Sequence, residues 1–157
     1  TFLSPADITE LAGSQQSQPG ARLAHRRLAQ EVTTLVHGES AVAAVERITA
    51  AIFSNRIDAL TEQDFAQLAQ DGLPSTHFDL SEVGLLALLF ESGLATTPKG
   101  EVTLGQAKKL ILGNSVAVNG VKQIDPEFKL QASAARYGRY HLIQKGKKQH
   151  HLVVLKS

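Results

Sequence analysis

Thr103-Leu104-Gly105-Gln106-Ala107-Lys108-Lys109-Leu110-Ile111, followed by Val116-Ala117-Val118-Asn119-Gly120-Val121-Lys122-Gln123-Ile124, reads as an amphipathic helix running into a β-hairpin. Thr103 is placed to cap the helix, Ala107, Leu110 and Ile111 recur on one face, and Lys108 and Lys109 are left outside. Val116 and Val118 alternate with small residues before Asn119-Gly120, the strongest short-range hairpin signal in the chain. Upstream, Val83, Leu85, Leu86, Leu88, Leu89 and Phe90 predict a strongly apolar helix ended by Gly93. Downstream, Arg139 to Gln144 and His150 to Leu155 predict two strands joined through Lys145-Gly146-Lys147-Lys148. The expected unit is two helices on a small, mainly antiparallel sheet.

The rest of the chain has a helical rhythm. Ser4-Pro5-Ala6-Asp7 opens a short helix expected to reach Gly13, and Gln15 to Gly20 reads as a polar linker. Ala24, Leu28, Val32, Leu35 and Val36 then recur at helical spacing up to Gly38, with Arg22, Arg26 and Thr33 on the exposed face. Val42, Val45, Ile48 and Ile52 mark another amphipathic helix. Thr61 to Asp64 is a cap signature ahead of Phe65, Leu68 and Ala69, and Gly72 with Pro74 closes that element. The predicted class is α+β: a small helical bundle over 1–75, a short linker at 76–80, and a compact module over 81–157.

Charge divides the chain at the same place. Before Ser81 five Arg face ten carboxylates, and from Ser81 onward eleven Lys and Arg face five, so a net charge of +1 conceals an acidic half and a basic half. Clustered cations gain free energy by displacing condensed counterions, so this asymmetry points to a phosphate-bearing partner. A solvated basic surface is the plainer alternative.

Composition narrows the function classes. The 157 residues include no Cys, which excludes disulfides and thiolate metal sites and fits a cytoplasmic setting. No apolar run approaches the ~18 residues that cross a bilayer, and residues 1–20 lack the pattern of a signal peptide. Met is also absent, so the chain is expected to be part of something longer.

Catalytic and metal-ligating patterns are weak. Gly100-Glu101-Val102-Thr103-Leu104-Gly105 has the glycine separation of a phosphate loop, but Gln106 and Ala107 stand where Lys and Ser or Thr are needed. His150 and His151 would point to opposite faces of a strand, poor geometry for one metal, and read as a solvated pair. His37 precedes Gly38 at a helix end with no catalytic companion in sequence. The expected catalytic and metal sites are therefore none. The cations form the stronger pattern: Lys108 and Lys109 on a helix, Lys122 on the hairpin, and Lys145, Lys147 and Lys148 at a turn can line one surface that reads an RNA backbone by shape and charge. Arg136 and Arg139 flank Tyr137 and Tyr140, which either stack on bases or pack in the core.

Several segments carry a family resemblance. Leu35-Val36-His37-Gly38-Glu39, Arg47-Ile48-Thr49 to Phe53, Leu60-Thr61-Glu62-Gln63-Asp64-Phe65 and Gln67-Leu68-Ala69-Gln70-Asp71-Gly72 resemble the region after the catalytic domain in bacterial tyrosyl-tRNA synthetases. Gly105 to Ile111, Val116 to Lys122, and Gly138-Arg139-Tyr140 through Lys148 resemble that enzyme's C-terminal RNA-binding module, of the kind named after ribosomal protein S-four. One departure stands out: the family places a compact Ser-Arg-Gly-Gln stretch before the basic helix, whereas here Glu101 to Leu104 separate Pro98-Lys99-Gly100 from Gly105-Gln106.

The resemblance implies a homodimeric, cytoplasmic parent that uses ATP and magnesium to charge tyrosine tRNA. It implies that this portion, without cofactor or catalytic site and monomeric by itself, holds the anticodon arm and the long variable arm. Lys108 and Lys109 would be helix contacts to phosphate, and Lys145, Lys147 and Lys148 turn contacts. The alternatives are the RNA-guiding part of another RNA-modifying enzyme or ribosome-associated factor, or an acidic helical protein-interaction domain with an incidental basic tail.

Overall fold

A computed structural model describes residues 3–54, 56–79 and 81–156. The chain forms two compact units, Thr1–Ala50 and Ala51–Ser157. The division falls inside the third helix.

The first unit is helical. Helix α1, Pro5–Ser17, opens on a capping box: Ser4 Oγ accepts from the Asp7 amide at 3.2 Å and the Asp7 carboxylate accepts from the Ser4 amide at 3.0 Å. The helix continues past Gly13 through residues expected to form a linker, and stops where the Gln18 amide donates to Ser14 O. Gly13 disfavours a helix by only about 1 kcal/mol, too little to end one whose flanking residues are permissive. Helix α2, Leu23–His37, starts after Arg22, which adopts a left-handed conformation instead of joining the helical face. It ends at Gly38, whose φ of 84° ordinary side chains disfavour. Helix α3 spans Glu39–Phe53. Leu28, Val32, Leu35 and Val36 have the predicted spacing yet stay about half exposed or more.

The second unit holds a five-stranded sheet of order β1-β7-β6-β3-β4. The strands are β1 Ser75–Phe78, β3 Val116–Val118, β4 Val121–Gln123, β6 Tyr140–Lys145 and β7 Gln149–Leu155; β2 Glu82–Gly84 and β5 Lys129–Gln131 pair separately. All pairings are antiparallel except β1 with β7. Strand β1 occupies most of the stretch read as a linker, and Thr76 Oγ1 bonds His151 Nε2 at 2.8 Å. Val83, expected in a helix, belongs to β2, and helix α5 begins two residues later, Leu85–Glu91.

Helix α6, Leu104–Leu112, follows the predicted pattern: Thr103 Oγ1 accepts from the Gln106 amide at 3.1 Å, and Ala107 and Ile111 are buried. With Leu85, Leu88 and Leu89 they pack against Val116, Val118, Ile143 and Val153 of the sheet. Asn119 and Gly120 take φ values of 48° and 84°, the paired positive angles of a two-residue hairpin turn.

Both faces of β6 are buried. Its register puts His141 and Ile143 on one face with Val153, and Tyr140 and Leu142 on the other with Leu152. Phe65 of helix α4, Glu62–Gln67, stacks on Tyr140 with ring centroids 5.3 Å apart and meets Tyr137 edge-on at 6.0 Å. Tyr137 also donates its hydroxyl to Leu60 O at 2.9 Å. Thus Leu60 and Phe65, from the acidic part of the sequence, pack with the tyrosines of the basic part. Charge divides the chain near residue 80, whereas packing divides it near residue 50.

Candidate nucleic-acid interface

The cations converge around two residues, Asn114 and Ser115, which follow α6. Lys122 Nζ donates to Asn114 O at 3.1 Å, bringing the hairpin to the end of the helix. The Gly146 amide donates to Ser115 O at 2.8 Å, bringing the β6–β7 turn to the same place. Asn114 makes this possible by adopting φ 54°, a left-handed conformation that Asn tolerates better than most residues. Lys108 and Lys109 are exposed on α6, one to two turns before this junction, and Lys147 and Lys148 are exposed on the turn. Three elements, α6, the hairpin and the β6–β7 turn, therefore present five lysines near one junction.

Lys145 is half-buried and differs from its neighbours. Its Nζ donates to Leu94 O at 2.7 Å, anchoring the loop after α5, while two N–H groups stay available. The register also separates it from Lys122: Lys145 and Gln123 both oppose Val116, whereas Lys122 opposes Ala117, so Lys122 and Lys145 start from opposite faces of the sheet.

Arg136 and Arg139 lie at the other end of β6, roughly 20 Å from Lys145 at ~3.3 Å per residue. Each is engaged within its own unit: Arg136 pairs with Asp58, and Arg139 with Glu62 at 3.3 Å. Arg139 also lies over the Tyr140 ring, 4.8 Å from its centroid. Tyr140 is buried, which places it in the core, while Tyr137 is half-exposed. The sequence held no sign of Asp58 and Glu62 as partners, because these contacts join residues 77 to 78 positions apart.

His141 and His151 are buried and hydrogen-bonded within the fold. His141 Nε2 lies 3.0 Å from Gln131 O, which only accepts, so Nε2 carries the proton. Nδ1 then accepts from Asn119 Nδ2 at 3.0 Å, an orientation matched by Asn119 Oδ1 accepting from the Leu142 amide at 2.9 Å. Burial lowers the pKa of His141 and His151, and also that of His150 against the opposing bond to the Lys148 backbone. His151 is buried, contrary to the expected solvated pair, because β1 covers it through Thr76. Among the described residues, no group of three or more His, Asp or Glu is placed to hold a metal ion, and no helix is long and apolar enough to cross a membrane.

The tyrosine-tRNA ligase SYY-like C-terminal domain family matches residues 64–153, which include α6, the hairpin, the basic turn and Phe65. Over 156 residues the chain is 43% identical to a tyrosine-tRNA ligase of Aliivibrio salmonicida and 39% identical to one of Cronobacter sakazakii. It is 39% identical over 153 residues to one of Chromobacterium violaceum. These alignments take in 98 to 99% of this chain but 35% of each relative, so the chain spans about a third of their length. The helix, hairpin and turn that gather the cations lie within the matched residues, and the chain belongs to the tyrosine-tRNA ligase C-terminal domain family.

Proposed function

We propose that this chain is the tRNA-binding C-terminal portion of a tyrosine-tRNA ligase, and that it holds the anticodon arm and long variable arm of tyrosine tRNA. The parent enzyme, a cytoplasmic homodimer using ATP and magnesium, charges the acceptor end elsewhere, while this portion alone is monomeric and carries no catalytic site. The observation that carries the reading is the junction at Asn114 and Ser115, where α6, the hairpin and the β6–β7 turn are tied together. A preformed cationic surface of this kind matches regularly spaced phosphates without induced folding.

In this reading Lys108, Lys109, Lys122, Lys145, Lys147 and Lys148 contact phosphate. Arg136 and Arg139 form a second, weaker contact, since Asp58 and Glu62 already balance their charge. In this reading the chain divides functionally by charge, into the acidic helical part over 1–75 and the basic module over 81–157. Six phosphate contacts correspond to a slope of about 4 to 5 log units of affinity per log unit of salt.

Binding to tyrosine tRNA and to a tRNA without a long variable arm, each across a salt series, tests this. Preferential, steeply salt-dependent binding to tyrosine tRNA supports it. Equal weak binding to both refutes recognition of the variable arm, and absence of binding to either refutes the RNA reading.

A further inference from the structure

Arg136 and Arg139 flank a tight turn: the Arg139 amide donates to Arg136 O at 3.2 Å, and the central Tyr137 and Gly138 take φ values of 52° and 72°. Two positive angles in succession suit Asn and Gly and strain a Tyr, so the surroundings must hold it there. The Tyr137 hydroxyl donates to Leu60 O at 2.9 Å, and its ring meets Phe65 at 6.0 Å. The turn brings the two arginines to about 7 Å or less at Cα. Each is paired with one carboxylate of the segment around Leu60, Arg136 with Asp58 and Arg139 with Glu62. These ion pairs are not what joins the segments, because Leu60, Phe65 and the tyrosines do that beneath them. The Asp58 and Glu62 side chains are 79% and 55% exposed, and those of Arg136 and Arg139 40% and 42%, so either pair can exchange partners at little cost. The Arg139 guanidinium also rests 4.8 Å from the Tyr140 ring centroid, so a phosphate that displaces Glu62 meets a donor already in place.

We propose that Asp58 and Glu62 are specificity-determining residues: they cancel the charge of Arg136 and Arg139 toward loosely held RNA, and yield the guanidiniums only to phosphates that a correctly bound tRNA places there. The four side chains sum to zero charge, so RNA held by the lysine junction alone is not drawn to this end of the module. A tRNA seated at that junction and reaching to the far end of β6, roughly 20 Å away, sets its phosphates against the turn and takes the arginines from their carboxylates. The displaced carboxylates are already exposed and return to water. A phosphate that arrives misplaced meets the two acidic groups instead, and such like-charge contact disfavours wrong partners. The inference rests on the RNA-binding reading and assigns Asp58 and Glu62 a part in it.

The test compares the whole chain with its Asp58→Asn/Glu62→Gln double variant, each titrated with tyrosine tRNA and with a tRNA lacking the long variable arm across a salt series. For the tRNA lacking the arm, the double variant is expected to bind up to about 5-fold more tightly per released arginine, the upper range for an exposed ion pair. Its salt slope should steepen by about 1.4 to 1.8, the value for two added phosphate contacts. For tyrosine tRNA, which already holds both arginines, the slope should stay as it is and the preference over the other tRNA should shrink. Arg136→Gln/Arg139→Gln supplies the converse: the slope for tyrosine tRNA falls by about 1.4 to 1.8 and that for the other tRNA is unmoved. Equal gains for both RNAs in the carboxylate variant overturn the proposal, since the two residues then only lower the local charge. An unmoved slope for tyrosine tRNA in the arginine variant overturns it as well. Binding of tyrosine tRNA that neither double variant alters overturns only this inference, whereas absence of RNA binding by the unsubstituted chain overturns it together with the tRNA reading.

Discussion

Replacing Phe65 is expected to destabilise the basic module from a position outside it in sequence. The ring is fully buried and makes two aromatic contacts, stacked on Tyr140 at 5.3 Å and edge-on to Tyr137 at 6.0 Å. Truncating a buried Phe to Ala costs about 3–5 kcal/mol, from lost transfer free energy and the cavity left behind. Each aromatic pair adds about 0.5–1.5 kcal/mol beyond area, which places Phe65→Ala in the upper part of that range. Domains are stable by only about 5–15 kcal/mol, so this change removes a third or more of the total.

Phe65→Leu keeps most of the volume and loses the ring pairs, with an expected loss of about 1–3 kcal/mol. The assay is urea unfolding followed by tyrosine fluorescence. The chain contains two Tyr and no Trp, and Tyr137 and Tyr140 are both at this contact, so the signal reports on it directly. A shift below about 1 kcal/mol for Phe65→Ala would refute the coupling of α4 to β6.

Other consequences can be measured on the same material. Thr61→Ala removes a capping box in which Thr61 Oγ1 accepts from the Asp64 amide at 3.2 Å and donates to the buried Asp64 carboxylate at 2.9 Å. A loss of about 0.5–2 kcal/mol in urea unfolding is expected, and no loss would contradict the cap. His141, His150 and His151 have lowered pKa values, so the unfolded chain binds protons that the folded chain resists. Stability is therefore complete above the ordinary His value near 6.5 and falls as pH drops below it, by up to about 1.4 kcal/mol per pH unit for each group. His141→Gln should flatten this dependence in unfolding measured from pH 7.5 to 5, and an unchanged slope would refute the assignment. For tRNA binding, Lys108→Gln and Lys109→Gln should each reduce the salt slope by about 0.7 to 0.9, whereas unchanged slopes would remove α6 from the interface. Asp58→Asn and Glu62→Gln release Arg136 and Arg139 from exposed ion pairs, with an expected stability change within about 1 kcal/mol; a larger loss would show these pairs to be structural.

Local chemistry was legible without coordinates wherever it depends on neighbours in the chain. The Ser4 and Thr61 caps, the stop at Gly38, the outward lysines of α6 and the Asn119-Gly120 turn all act within a few residues, and each formed as read. Gly13 does not stop α1, because one glycine is a small penalty beside the bonds on either side of it. Short strands escaped for a different reason. Strands β1, β2 and β5 have three or four residues each and no hairpin turn beside them to mark them, and each is completed by hydrogen bonds to a strand distant in sequence.

The same distinction governs the candidate site. Sequence alone determined which residues carry positive charge, that they concentrate after residue 80, and that a helix, a hairpin and a turn present them. Tertiary structure decided which of them stand together, since Lys122 and Gly146 meet the end of α6 through backbone carbonyls that no spacing rule identifies. It also decided that Arg136 and Arg139 are held by Asp58 and Glu62, and that Tyr140 belongs to the core. Charge and local propensity are properties of residues and short segments. Partnership and burial belong to the folded chain, where contacts between residues more than 70 positions apart override what their neighbours in sequence imply.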